Sequence, residues 1–182
     1  LWTRAAEISL TTEGDKKRKA AQIMVQAAIA IEIMMFAPIR IHNLSTIRLD
    51  EHMGWQADRL RLSFPAHEVK NDQALDFLLP AEASERIKRY IKDWRSLFIP
   101  ATNPYLFPGR NGKPKDQSAL RNQMKKAIFD HTGLQMTPHQ FRHAAAKLLL
   151  DARPGHYEVV RKLLGHKSLT TTYAHYAGAE TD

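Results

Sequence analysis

The segment Thr137-Pro-His-Gln-Phe-Arg-His143 brings an imidazole and a guanidinium three residues apart, just inside a predicted helix start. Thr137 suits the cap, Pro138 the first helical position, and Gln140 the place where a capping box takes Glu or Gln. A helix N-terminus already attracts anions, and His139 and Arg142 share one helical face beside it. The chemistry this equips is the gripping of a phosphate. Phe141, Ala145, Leu148 and Leu149 fall at helical spacing on the other side, which predicts that the apolar stripe forms without His139 and Arg142 and leaves both side chains available for other work. Taken alone, the pattern is equally that of a capped helix with a solvated polar face. A zinc reading of His139 and His143, spaced i and i+4, lacks the Glu of His-Glu-x-x-His and has Arg142 between the two rings.

Composition narrows the partner. Among 182 residues, 27 Lys and Arg against 19 Asp and Glu leave a net charge of +8, which points to a polyanion, with nucleic acid the leading candidate. Length and a 43% hydrophobic content fit one domain with its own core. The absence of cysteine excludes disulfides, thiolate metal sites and a cysteine nucleophile. The apolar run from Ala21 to Ile39 is interrupted by Gln22, Gln26 and Glu32 and ended by Pro38, so it reads as a buried core helix, with no membrane partner. Gly109-Arg-Asn-Gly-Lys113 lacks Walker spacing and reads as a turn. No signal peptide is visible, and a chain opening on Leu1 is expected to be a piece of a longer protein.

The elements that must position these residues follow from periodicity. A long helix is predicted over 15–36, with a basic opening at Lys16–Lys19 that an anionic partner would relieve. Phe36 to Leu44 reads as a turn feeding a short helix, with Arg40 at the junction. Ser45–Leu49, Arg59–Phe64 and Leu75–Leu79 read as strands of a small antiparallel sheet, and Lys70 falls in the connection between the last two. Ala81–Phe98 is an amphipathic helix and 100–116 a loop. Helical patterns resume at 117–131, 138–151 and 156–164, the last ended by Gly165 with His166 next. Thr170–Thr172 can cap a final helix with Tyr173 and Tyr176 on one face. The predicted class is mainly α with a small antiparallel β-sheet.

Arg40 after a helix, Lys70 in a hairpin, His139-x-x-Arg142, Leu163-Leu-Gly-His166 and a tyrosine downstream, in that order, resemble the catalytic domain of the tyrosine recombinase, or phage-type integrase, family. The resemblance covers nearly the whole chain, 1–182, and implies the fold of DNA breaking-rejoining enzymes. It implies that Arg40, Arg142, His139 and His166 hold a DNA phosphate, that Lys70 protonates the departing oxygen, and that a tyrosine joins covalently to the DNA through a 3′-phosphotyrosyl link. These residue types suit such roles, since Arg forks stabilise charge on nonbridging oxygens and histidine donates or moves protons near neutrality. A cationic setting activates a phenol whose free pKa is about 10.

The implied reaction is site-specific strand cleavage and rejoining on double-stranded DNA, with no cofactor, metal or ATP. A type IB topoisomerase and a catalytically silent DNA-binding protein are the alternatives on the same fold. The family's tyrosine stands nine residues after the Leu-Gly-His histidine, where this chain has His175; Tyr176 is the nearer candidate for the nucleophile and Tyr173 the other. Asn43 stands where many relatives carry an acid and could orient Arg40 through its amide oxygen. His143 reads either as a residue that orients its neighbours or as polar surface. The resemblance also implies a bacterial or phage origin, a cytoplasmic, nucleoid-associated location and a homotetramer on DNA. Without an upstream clamping domain or a C-terminal tail, this piece is expected to be monomeric and to bind DNA weakly.

Overall fold

The computed structural model describes residues 15–97, 102–166, 168–170 and 172, with side chains in the first helix from Lys19 onward. That helix, α1 (Asp15–Phe36), matches its predicted bounds but is more central than an amphipathic stripe requires. Val25 through Ile31, Ile33 and Met34 are all buried, so most of its circumference is core. Such all-round burial marks a helix enclosed by others. It is also long and apolar enough to cross a membrane by length and composition, and 56% of that stretch is buried inside the protein. Glu32 is not a bare charge there, because Arg86 meets it at 2.6 Å.

Pro38 ends the helix by disfavouring helical backbone before it and removing a donor. The chain then runs extended through Arg40, the N-cap residue of the short α2 (Ile41–Ser45). The strand expected at Ser45–Leu49 does not form. Ser45 and Thr46 hydroxyls both donate back to the His42 carbonyl, as at a helix end, and Leu44 and Ile47 enter the core three residues apart. The Arg48 amide is taken by the His52 ring instead of a ladder, leaving an isolated bridge between Arg48 and Tyr105.

The third strand lies later. β1 (Met53–Gln56), β2 (Arg59–Phe64) and β3 (Leu75–Leu78) form an antiparallel sheet in that order, with Met53 opposite Leu62 and Leu62 opposite Phe77. β2 alternates, sending Leu60, Leu62 and Phe64 inward, whereas β1 is largely exposed and carries no such signal. The β2–β3 connection holds a 3₁₀ turn at Ala66–Glu68, a buried Val69 and an exposed Lys70.

α3 (Ala81–Arg89) continues through a π turn at Tyr90–Trp94 and a 3₁₀ turn at Arg95–Leu97. Tyr90 is fully buried there, and its hydroxyl accepts from Gln26 at 3.3 Å and donates to the Leu106 carbonyl at 3.2 Å. After a loop, α4 (Gln117–Thr132) is capped by the Asp116 carboxylate, which accepts from the Ala119 amide at 2.9 Å, and ended by a left-handed Gly133.

α5 (Pro138–Ala152) begins with the full capping box: the Gln140 amide donates to the Thr137 hydroxyl at 3.3 Å, and the Thr137 amide to the Gln140 side chain at 2.7 Å. α6 (Tyr157–Leu164) ends at Gly165, φ 60°, and the His166 amide reaches back to the Arg161 carbonyl at 2.9 Å. The main core gathers around α1, α4 and the sheet, while Ala146, Leu150, Tyr157, Val160 and Leu164 make a separate small core between α5 and α6.

Candidate active site

The face of α5 that enters the protein is not the predicted one. Pro138, Arg142, Ala146 and Leu150 are buried, whereas Leu148 is 69% exposed. Arg142, at 6% exposure, is therefore far from the outward-facing side chain the stripe implied. One of its terminal nitrogens donates to the Pro38 carbonyl at 2.5 Å and the other to the Leu164 carbonyl at 2.6 Å. The guanidinium thus ties α5 to the segment before α2 and to the end of α6, joining the two cores at their seam. A buried cation is tolerated when its donors are met, and planar Arg meets two diverging acceptors as Lys cannot.

Around this anchor, Arg40, Lys70, His139, Arg142 and His166 line one cavity of about 550 Å³. These five residues, scattered over more than a hundred positions of sequence, are brought together by the α1–α2 junction, the β2–β3 connection, the start of α5 and the end of α6. Tyr173, His175 and Tyr176 lie outside the described residues, as do the side chains of Lys16 to Arg18.

The cavity has two further basic residues that periodicity does not reveal. Arg121, exposed on the second turn of α4, lines it, and so does His42, whose Nδ1 accepts from the Gln117 side chain at 3.2 Å. A polar residue on an amphipathic helix looks the same in sequence whether it faces water or a cleft, so only the packing of α2 against α4 picks these two out. Among the described residues, the lining with them holds four Arg or Lys side chains and three imidazoles, and no carboxylate.

Arg40 is half-buried, and burial holds its guanidinium below the ordinary value. Its Nη1 is buried with no hydrogen-bond partner among the described residues. A buried guanidinium donor left unmet costs free energy. The Asn43 amide nitrogen donates to the Glu68 carbonyl at 3.0 Å and so holds the connection that carries Lys70.

The imidazoles are fixed by different means. His166 Nδ1 lies 3.0 Å from the hydroxyl of Thr172, a fully buried residue. His139 and His143 face each other through their Nε2 atoms at 2.9 Å, edge to face, so one ring donates to the other. That contact is a hydrogen bond between rings.

Among the described residues, metal-like geometry occurs at Glu51, His52 and Glu68 instead. His52 is buried, its Nδ1 accepts the Arg48 amide at 2.8 Å, and its Nε2 therefore carries a proton toward Glu68 at 2.7 Å. With one ring nitrogen accepting and the other protonated, neither offers a lone pair to an ion.

A family model described as the phage integrase family matches residues 6–181. The chain belongs to that family. Among curated integrase-family relatives, it is 34% identical over 94 residues to a tyrosine recombinase of Agathobacter rectalis, covering 50% of this chain and 30% of that one. It is 28% identical over 153 residues to tyrosine recombinase XerC of Mycobacterium leprae, covering 82% and 49%. The chain spans half or less of the length of these relatives. Among solved structures, the XerH site-specific recombinase bound to palindromic difH substrate, a post-cleavage complex, superposes with a TM-score of 0.70 at 21% identity, over 97% of this chain and 47% of that one. The integrase fold, mainly helical with a small antiparallel sheet, is thus shared.

Proposed function

We propose that this chain is the catalytic domain of a site-specific recombinase that cleaves and rejoins double-stranded DNA through a 3′-phosphotyrosyl intermediate. The observation that carries the reading is the cavity lined by Arg40, Lys70, Arg121 and Arg142 with His42, His139 and His166, with no carboxylate among its described lining residues. An enclosure of fixed cations without acids suits a phosphodiester and would repel a divalent ion, so charge stabilisation falls to guanidinium groups instead of metals.

In this mechanism Arg40 and Arg142 hold the nonbridging oxygens of the scissile phosphate, with His139 and His166 as further donors. The phenol oxygen of Tyr176 attacks phosphorus while its proton passes to a pocket imidazole. The bond from phosphorus to the 5′-oxygen breaks, and the Lys70 ammonium delivers a proton there, leaving a 5′-hydroxyl and a neutral amine. One phosphate ester replaces another, so a second 5′-hydroxyl can reverse the step without ATP. Recombination needs two duplexes, which fits a homotetramer on DNA in the cytoplasm for the whole protein.

The test is incubation with a nicked DNA substrate that traps the covalent product, in EDTA, comparing the parent with Tyr176→Phe and Tyr173→Phe. The parent and Tyr173→Phe are expected to trap DNA and Tyr176→Phe is not. Trapping by Tyr176→Phe but not by Tyr173→Phe would transfer the nucleophile to Tyr173, and no trapping by any form would refute the mechanism.

A further inference from the structure

Lys70 sits on an exposed stretch of the connection between β2 and β3. A lysine ammonium rides on a flexible four-carbon stem, so its place in a reaction depends on how firmly its backbone is held. Two hydrogen bonds hold the connection from its own side: Asn43 to the Glu68 carbonyl, and the buried His52 to the Glu68 carboxylate. A third reaches the end of α6. Asn71 Nδ2 donates to the Gly165 carbonyl at 2.6 Å, bridging 94 positions of sequence.

This bond joins the immediate neighbour of Lys70 to the immediate neighbour of His166. The turn it grips is closely packed. Gly165 is buried in left-handed backbone, and a Cβ there would stand 3.2 Å from Leu75 Cδ2, so the turn packs against the base of β3. Its preceding carbonyl, that of Leu164, receives Arg142. Consecutive carbonyls at the end of α6 thus accept from two side chains, Arg142 of α5 and Asn71 of the β2–β3 connection.

We propose that Asn71 is a positioning residue that registers the Lys70 ammonium against His166, and through it against the departing 5′-oxygen; this rests on Lys70 as general acid. Asn71 acts through its neighbour and does not touch the phosphate. The role needs a donor: an aspartate of the same shape would turn two acceptors on the Gly165 carbonyl.

The test is single-turnover cleavage of two DNA substrates, one with the natural 5′-oxygen and one with sulfur in its place. A thiol ionises near pH 8.5, so a sulfur leaving group departs without a general acid. On the oxygen substrate, Asn71→Ala and Asn71→Asp are expected to be slower by about 10- to 100-fold, with DNA affinity unchanged. On the sulfur substrate they and Lys70→Ala should recover together, and the Lys70→Ala/Asn71→Ala protein should be no slower than Lys70→Ala alone.

Recovery of Lys70→Ala without recovery of the Asn71 variants would overturn the positioning role and leave the Lys70 reading standing. No recovery of Lys70→Ala would overturn both. Parent-like cleavage of the oxygen substrate by Asn71→Asp would also overturn the role, and this isosteric variant serves if the alanine form does not fold.

Discussion

Arg142 donates to the carbonyl of Pro38, two residues before Arg40, so the second guanidinium of the cavity is hung from the segment that presents the first. The two arginines therefore differ in what they do for the fold. Two of the Arg142 donors go to carbonyls that join the two cores, whereas Arg40 has a buried nitrogen with no acceptor among the described residues.

Stability should separate them. Arg142→Ala leaves two carbonyls without their donors and is expected to cost about 2–4 kcal/mol. Arg40→Met removes an unmet donor and should stay within about 1 kcal/mol of the parent. Both should lose cleavage by about 100-fold or more. Urea unfolding monitored by circular dichroism decides the matter: equal destabilisation by the two substitutions would contradict the distinction.

Gly165 should tolerate no side chain. Its φ of 60° is a region where an L residue costs about 1–2 kcal/mol, and the new Cβ would press on Leu75. Gly165→Ala is expected to lower the thermal midpoint and, by shifting the carbonyl that Asn71 holds, to slow cleavage further than lost stability explains. Parent-like cleavage by the folded Gly165→Ala protein would show that the turn has slack.

Helix positions and their chemistry were largely readable in the sequence because local rules suffice for them. The capping box at Thr137 and Gln140, the left-handed Gly165 and the bounds of α1 and α4 each depend on residues within one or two turns. β1 was not readable: its residues are mostly exposed, and its turn places Ala57 at φ 52° in place of the Asn-Gly that signals a hairpin. The burial of Arg142 was hidden for a different reason. Its acceptors lie at Pro38 and Leu164, and apolar periodicity assigns a charged residue to the outside unless such distant carbonyls are known. The gathering of Arg40, Lys70, His139, Arg142 and His166 came from family resemblance, while Arg121 and His42 needed the packing of α2 on α4.

Arg121 has no ion pair or hydrogen bond among the described residues, and it faces the cavity from α4. It should contribute to DNA binding as a point charge and nothing to the fold. Arg121→Ala is expected to reduce the slope of log affinity against log salt by about one, with unfolding unchanged. Titrations of a fluorescent duplex at several salt concentrations measure this, and an unaltered slope would place Arg121 off the DNA path.

Metal ions should not matter, for a reason that concerns His52 as much as the cavity. Glu51, His52 and Glu68 have the spacing of a binding site, yet the ring accepts the Arg48 amide at one nitrogen and donates to Glu68 from the other. Zinc would have to break the Arg48 bond or displace the Nε2 proton in a buried place, and His52 is also stacked on Phe64 with ring centroids 4.9 Å apart. Added zinc is therefore expected to leave the unfolding free energy unchanged, and EDTA to leave the cleavage rate unchanged. A ligand at 100 times its dissociation constant would stabilise by about 2.7 kcal/mol, so a shift of that size in the zinc titration, lost in His52→Gln, would establish a metal site where the hydrogen-bond pattern argues against one.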